Sequence, residues 1–246
     1  MRITFIGTSD GSPRRGRRCS GLLVEIGEEK YIIDAGASIA DFLADKGYTT
    51  SQFSVIKAVF VSHFHADHIF GGLEYMAIRN RCSLSRPLEV YIPGEKEAEA
   101  VRNIIGMTER PYNEDNLIVR SFDENFVYSD ENITIVPIKN SHLPEPRLSF
   151  CFLICAEGKR ILYSGDMSTT LDDLPDVLFR EDVDLLIEEG AHQQLDTIRD
   201  KLKNISAKKV LFTHVNNEQK IESIKELFPL FPFDAGIAYD GMIVDF

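Results

Sequence analysis

Val59-Phe60-Val61-Ser62-His63-Phe64-His65-Ala66-Asp67-His68-Ile69-Phe70-Gly71-Gly72 is the stretch whose reading decides the fold. Three histidines and an aspartate fall within its residues 63–68, directly after an apolar run and directly before two glycines. Ile56 to Val61 reads as a buried strand, and Ile69 to Ile78 has helical apolar spacing. The metal-type side chains are therefore expected on the loop where a strand hands over to a helix, a rigidly held position open to solvent. Imidazole and carboxylate are the usual ligands of zinc and similar ions, and a catalytic zinc needs about three of them plus an open place for water. On an extended segment His63 and His65 can point to one side and grip one ion. Asp67 and His68, one step further on, can turn towards a neighbouring ion.

The rest of the chain sets bounds on this reading. Its 246 residues suffice for one large domain, expected to span residues 1–246, with ample surface to bury. A hydrophobic content of 43% and a charged content of 27% suit a globular protein in water. Cys19, Cys82, Cys151 and Cys155 show no metal-type pairing, and Cys151 and Cys155 are expected to share the inward face of one strand. The chain starts straight into strand-like Arg2-Ile3-Thr4-Phe5-Ile6 without a signal-like segment, and no apolar run approaches the roughly 20 residues of a membrane span. The expectation is a reduced, cytoplasmic protein without membrane contact. A net charge of −12 repels polyanions, which argues against a long nucleic acid as partner. Arg14, Arg15, Arg17 and Arg18 nevertheless form a local basic patch between Pro13 and Cys19.

Along the chain, Gly21 to Ile26 and Tyr31 to Asp34 read as a hairpin closed by Asp34-Ala35-Gly36, and Ser38 to Lys46 as a helix ending at Gly47. Leu88 to Ile92 reads as a strand and Glu95 to Ile105 as an amphipathic helix with its acidic residues in solvent. Leu117 to Arg120, Phe126 to Tyr128 and Ile133 to Lys139 read as alternating antiparallel strands. Strands near Leu148 to Cys155 and Arg160 to Tyr163 follow, with Glu157-Gly158 as their turn. Val183 to Ile187 and Lys209 to Phe212 are two more strands, separated by a helix from about Gln194 to Leu202. Ile237 to Phe246 reads as a final hairpin around Asp240-Gly241. Strands in two blocks with interleaved helices suit a layered sandwich. His142, Asp166, His192 and His214 each lie at or just past a strand end, where they can converge on one edge of a sheet.

His-Phe-His-Ala-Asp-His followed by Gly-Gly resembles the HxHxDH signature of the metallo-β-lactamase superfamily. The resemblance implies a four-layer αββα sandwich with a metal centre at one edge of the sheets. Carried over residue by residue, it implies a first ion on His63, His65 and His142. It places a second on Asp67, His68 and His214, and makes Asp166 the bridge. The ions would be two divalent metals, zinc in the first instance, with manganese and iron as alternatives. Asp34, in the Asp-x-Gly turn, would support the centre from beneath. His192 would donate a proton to the leaving group or touch substrate, with Glu189 orienting it or a metal ligand.

Two such ions lower the pKa of a bound water from about 16 to about 7, so the resemblance implies a hydrolase, with Asp67 and His192 among its catalytic residues. The Gly-Thr turn after strand one, the aspartate after Ser-Gly and the final Thr-His resemble the phosphodiesterase and ribonuclease Z branch. Arginine pairs well with phosphate, so Arg14, Arg15, Arg17 and Arg18 are the expected substrate contacts. The chain departs from ribonuclease Z in lacking a Gly/Pro- and base-rich arm, and in lacking a His-Ser-Thr segment between His192 and His214. A small phosphodiester, a cyclic nucleotide or a short nucleic-acid end is therefore the expected substrate, ahead of a tRNA 3′ end. The competing readings are a thioester or lactone hydrolase of the glyoxalase II type and a di-iron redox protein of the flavodiiron type. The latter typically has glutamate where this chain has His65. A homodimer stays open.

Overall fold

The computed structural model describes residues 1–246. In chain order its strands and helices are β1 (Arg2–Gly7), β2 (Gly21–Ile26), β3 (Glu29–Ala35), α1 (Ile39–Asp45), β4 (Ile56–Phe60), α2 (Ala66–Arg81), β5 (Leu88–Pro93), α3 (Glu95–Gly106) and β6 (Leu117–Phe122). The second half contains β7 (Tyr128–Ser129), β8 (Thr134–Lys139), β9 (Phe150–Ala156), β10 (Lys159–Tyr163), α4 (Val177–Arg180), β11 (Leu185–Glu189), α5 (Leu195–Leu202), β12 (Lys209–Thr213), α6 (Glu218–Lys225), β13 (Asp234–Ile237) and β14 (Ile243–Asp245).

Two seven-stranded sheets result, in the orders β14-β1-β2-β3-β4-β5-β6 and β13-β12-β11-β10-β9-β8-β7. The central strands bury both faces, so one set of side chains packs between the sheets and the other under helices, while edge strands such as β7, β13 and β14 stay partly exposed. Phe5, Tyr31 and Phe60 of the first sheet meet Phe150, Phe152 and Ile187 of the second in a central core. Ile32, Val59 and Val90 pack outward under α1 and α2, while Leu162, Leu186 and Phe212 pack under α4, α5 and α6. The architecture is the expected αββα sandwich.

Local chemistry explains several boundaries. The Ser38 hydroxyl accepts from the Asp41 amide at 3.1 Å and caps α1. The β9–β10 turn places Glu157 at φ +50° and Gly158 at φ +73°, the primed geometry that matches strand twist. At one end of the sandwich Asp130 accepts from Tyr31 at 2.7 Å and from Tyr128 at 2.9 Å, and pairs with Lys57 at 2.8 Å, joining the two sheets.

Four sequence expectations are corrected. β6 runs parallel to β5 in the first sheet and does not pair with β7 or β8, because α3 forms a crossover between β5 and β6. The C-terminal segment is not a hairpin: β13 lies parallel to β12 in one sheet, while β14 pairs with β1 in the other. The chain around Asp240-Gly241 crosses from sheet to sheet, and Asp240 is tied there by the Thr8 hydroxyl at 2.8 Å and the Arg18 amide at 2.7 Å. Helix α2 already begins at Ala66, so Asp67 and His68 stand in its first turn rather than on the preceding loop. Cys151 is buried but Cys155, on the same face, is only partly covered. α4 and α6 have no counterpart in the sequence reading. No helix is long and apolar enough to cross a membrane.

Candidate metal centre

The centre forms where strands from both sheets end together. His63 and His65 follow β4, His142 follows β8, Asp166 follows β10, His192 follows β11 and His214 follows β12. The sheets are stitched at this edge. Phe150 N donates to Ser62 O at 3.0 Å, and Val215 N donates to Thr8 O at 3.1 Å. The rim is therefore held by backbone from both sheets, a stiff support for side chains that must hold fixed distances.

Close backbone packing sets the pose of α2. A methyl group on Gly36 would stand 1.6 Å from the Asp67 carbonyl oxygen, and one on Gly71 2.3 Å from the Gly36 carbonyl oxygen. Only glycine lets the first turn of α2 rest on the Asp34-Ala35-Gly36 turn. That contact brings Asp67 and His68 over the sheet edge.

Three overlapping donor groups result, the third being Asp166, His192 and His214. His63, His65, His142 and Asp166 place one ligand atom each within 4.8 Å of one another, and so do Asp67, His68 and His214. In the first group His63 Nε2 and His65 Nδ1 are 3.0 Å apart, and His142 Nε2 is 3.4 Å from His65 Nδ1. Asp166 Oδ2 stands 3.7 Å from His63 and 3.6 Å from His142. In the second group Asp67 Oδ2 stands 3.6 Å from His68 Nε2 and 3.7 Å from His214 Nε2. Asp166 reaches this group as well, at 3.3 Å from His68 and 3.4 Å from His214. Atoms about 2.0–2.1 Å from a shared tetrahedral centre stand about 3.3 Å apart, so these separations suit zinc-like coordination. His68 Nε2 and Asp166 Oδ1 are buried without hydrogen-bond partners, a cost of about 1–3 kcal/mol each that a cation would remove. The residues fit a pair of divalent ions.

A polar layer beneath holds the donors in place. Asp34, fully buried at φ +58°, accepts from Ser62 N at 2.7 Å, Ser62 Oγ at 2.8 Å, His68 Nδ1 at 2.6 Å and Tyr163 Oη at 2.7 Å. Its bond to Nδ1 directs His68 Nε2 towards the centre. Ser20 Oγ does the same for His214 Nδ1 at 2.8 Å, and Ser62 Oγ for His63 Nδ1 at 3.1 Å. Asn140 Nδ2 donates to Asp166 O at 2.9 Å and steadies that strand end. Ser20, Ser62, Asn140 and Tyr163 escape sequence reasoning, because hydroxyls and amides of this kind occur throughout any chain. Their one local signal is that each lies within three residues of a strand end.

Electrostatics divides the histidines. Burial pushes His63 down, with neighbouring imidazoles His68, His142 and His65 adding to it. Burial likewise lowers His65 and His142. In His68 and His214 burial acts downward too, but Asp166 overrides it in both, helped by Asp34 at His68, and both are raised. Burial alone would raise Asp166, yet His214 and His68 hold it well below the usual carboxylate range. Carboxylates thus raise the imidazoles of the second group, while burial lowers those of the first.

His192 lies 3.9 Å from Asp166 through its Nδ1, and that nitrogen is also 3.1 Å from both oxygens of buried Glu189. The hydrogen bond to Glu189 pushes His192 up to about 9, although burial opposes the shift. Glu189 further accepts from the amides of Met167, Ala191 and His192, so it orients the whole segment.

The arginine loop flanks the same edge through Gly11, whose added methyl would lie 3.4 Å from Asp67 Oδ2. Its four arginines have different partners. Arg14 pairs with Glu218, Arg17 donates to Thr8 Oγ1 at 3.0 Å and to Ala238 O at 3.2 Å, and Arg18 pairs with Asp45 at 3.4 Å. Arg15 is exposed and borders an open cleft between this loop and the start of α1.

A family model described as Anti-Pycsar protein Apyc1 matches residues 1–230. A ribonuclease Z of Picosynechococcus sp. is 36% identical over 95 residues, which are 38% of this chain and 29% of that protein. Across the ribonuclease Z relatives the chain spans between 29% and 43% of their length. The metallo-beta-lactamase fold protein YhfI from Bacillus subtilis superposes with a TM-score of 0.76 at 20% identity, covering 99% of both chains. Unliganded yeast PDE1 superposes with a TM-score of 0.75 at 13% identity, over 100% of this chain and 99% of that one. The metallo-β-lactamase fold and the likeness to ribonuclease Z agree with the sequence reading.

Proposed function

The chain belongs to the anti-Pycsar protein Apyc1 family, and on that premise we propose that it is a two-metal hydrolase of small phosphodiesters, cyclic nucleotides foremost. His63, His65 and His142 would hold one ion, Asp67, His68 and His214 the other, and Asp166 both. Such ions supply an activated water and Lewis acidity towards phosphoryl oxygens. Zinc suits the imidazole-rich set, and manganese or iron suits its carboxylates equally well.

The chain's own groups supply the remainder. Glu189 occupies His192 Nδ1, which leaves the Nε2–H to face a substrate. A histidine pushed up to about 9 is charged at neutral pH and holds a proton there for the departing oxygen. Asp67 and Asp166 hold the ligand geometry against buried positive charge. Arg15 offers an unpaired guanidinium to a phosphate on the rim. The net charge of −12 disfavours a long polyanion such as a folded tRNA.

The observation that carries this reading is Asp166, within 3.7 Å of histidines from both donor groups. The test is metal analysis of the purified protein, then turnover of bis(p-nitrophenyl) phosphate, cyclic nucleotides and a thioester by one preparation. Two equivalents of metal with diester turnover are expected. Thioester turnover alone, or a single tightly held ion in the fully active protein, would overturn it.

A further inference from the structure

β4, β5 and β6 run parallel, so their C-terminal ends share the edge at which His63 and His65 stand. At Gly94, just past β5, and at Phe122, the last residue of β6, a cleft of about 510 Å³ opens along that edge. We propose that this cleft is the base subsite of the substrate, where a nucleobase stacks on Phe126 and donates a hydrogen bond from an exocyclic amino group to Asp123. The inference rests on the phosphodiesterase reading, because the metal edge has to hold the phosphate of the same nucleotide.

Backbone pairing places the cleft next to the first donor group. Val61, just before the metal loop, donates through its amide to Tyr91 O of β5 at 3.1 Å. On the other side His63 itself bridges to Ser149. The residue before Ser149 is Leu148, which is a wall of the cleft, its Cδ1 3.9 Å from where a methyl on Gly94 would stand. β5 and β6 lie one and two strand spacings from β4, about 5 and 10 Å. That is the reach of a base whose phosphate sits at the metal-type histidines.

The lining has the chemistry for that ligand. The half-buried Phe126 ring rests on Tyr91 at 5.1 Å and on Phe122 at 5.4 Å between centroids, so it is fixed from behind while its exposed part borders the cleft. Stacking on such a ring accepts any base, since every base has a π-face. The rim then selects among them. Glu95 is spent on Arg102 and Ser121. Asp123 accepts from Asn125 N through Oδ1 at 2.9 Å, which fixes the turn after β6 and leaves Oδ2 without a partner. A carboxylate only accepts, so it favours an amino group, as on adenine, over a carbonyl, as on hypoxanthine.

The test uses zinc-loaded protein. The chain has no tryptophan, so Phe126→Trp provides a single reporter whose emission a stacked base quenches. Adenosine 5′-monophosphate should quench it saturably, and ribose 5-phosphate should not. Equal response to the two would overturn the subsite. In the unmodified protein kcat/KM for cyclic AMP should exceed that for its hypoxanthine analogue by about 3- to 10-fold, the value of one hydrogen bond. Asp123→Asn, at an exposed position, should close that gap, because a carboxamide can donate to the carbonyl. Phe126→Leu should lower kcat/KM for both nucleotides by about 5- to 100-fold, while an abasic ribose cyclic phosphate changes by less than about twofold. Equal loss on the abasic diester would overturn the subsite, as would a gap that Asp123→Asn leaves unchanged. Failure of the unmodified protein to turn over any diester would refute the hydrolase reading, while the fluorescence titration still decides the subsite.

Discussion

Asp34→Asn isolates what the buried layer contributes to the metal centre. Asparagine tolerates the left-handed backbone at φ +58° and has nearly the shape of aspartate, so the turn should survive. Aspartate accepts one bond through Oδ1, from Ser62 N, and three through Oδ2, from Ser62 Oγ, His68 Nδ1 and Tyr163 Oη. An amide has one oxygen, so either Ser62 N or the other three donors must face an NH2 group. At least one buried donor is left unpaired, at a cost of about 1–3 kcal/mol. For a chain of this size about 2 kcal/mol lowers Tm by about 4–8 °C. The effect on metal should be larger at His68 than elsewhere, because its Nδ1 loses a charged acceptor and its Nε2 loses basicity. Second-layer changes of this kind weaken binding by about 10- to 100-fold. Competition with a chromophoric chelator measures that loss, and calorimetric melting of the metal-free protein measures the stability term separately. Wild-type affinity at every site in a correctly folded Asp34→Asn variant would refute the idea that Asp34 orients His68.

Asp67→Ala or His68→Ala should reduce hydrolysis to background while circular dichroism stays native, and full activity in either would end the two-ion assignment. His192→Ala should slow diesters with poor leaving groups far more than activated aryl esters, whereas equal slowing would remove its acid role. The raised His192 is protonated below about 9, so its contribution should be present at neutral pH and fall as pH rises through about 9. In Glu189→Gln this basic limb should move down towards the ordinary histidine value of about 6.5. A profile that ignores Glu189 would break the link between the two. Arg15→Ala should raise KM for phosphodiesters about threefold with an unchanged Tm, as an exposed charge contact would. Arg17→Ala should instead lower Tm, because it abandons Thr8 and the Ala238 carbonyl. An unchanged KM in Arg15→Ala would make the loop a solvated turn.

The fold was largely legible because its determinants are local in sequence. β4, β5, β9 and β12 are short apolar runs bounded by polar residues, and the Asp34-Ala35-Gly36 turn announces itself by composition. The metal-type residues were legible for a related reason: the chain has only six imidazoles, and each falls just past a strand or in the first turn of α2. α6 was missed because its sequence, Glu218 to Lys225, has only Ile221 and Ile224 to mark an inward face. The final hairpin was misread because an alternating pattern with Asp-Gly reports two strands and a turn, not which sheet each strand joins.

The His63–Gly72 stretch by itself determined that a metal would be bound, and that strand and helix would meet there. Residue type and spacing suffice for that, since coordination chemistry depends on donor identity and a short tether. The tertiary structure decided which donors cluster and that Asp166 reaches both groups. It also decided that Asp34, Ser20 and Ser62 aim the imidazoles, and that Arg15 alone of the loop arginines lacks a partner. Those outcomes depend on distances between residues far apart in the chain, such as Ser20 and His214, 194 positions apart. Only the stacking of two sheets fixes such distances, because no local preference links one strand end to another.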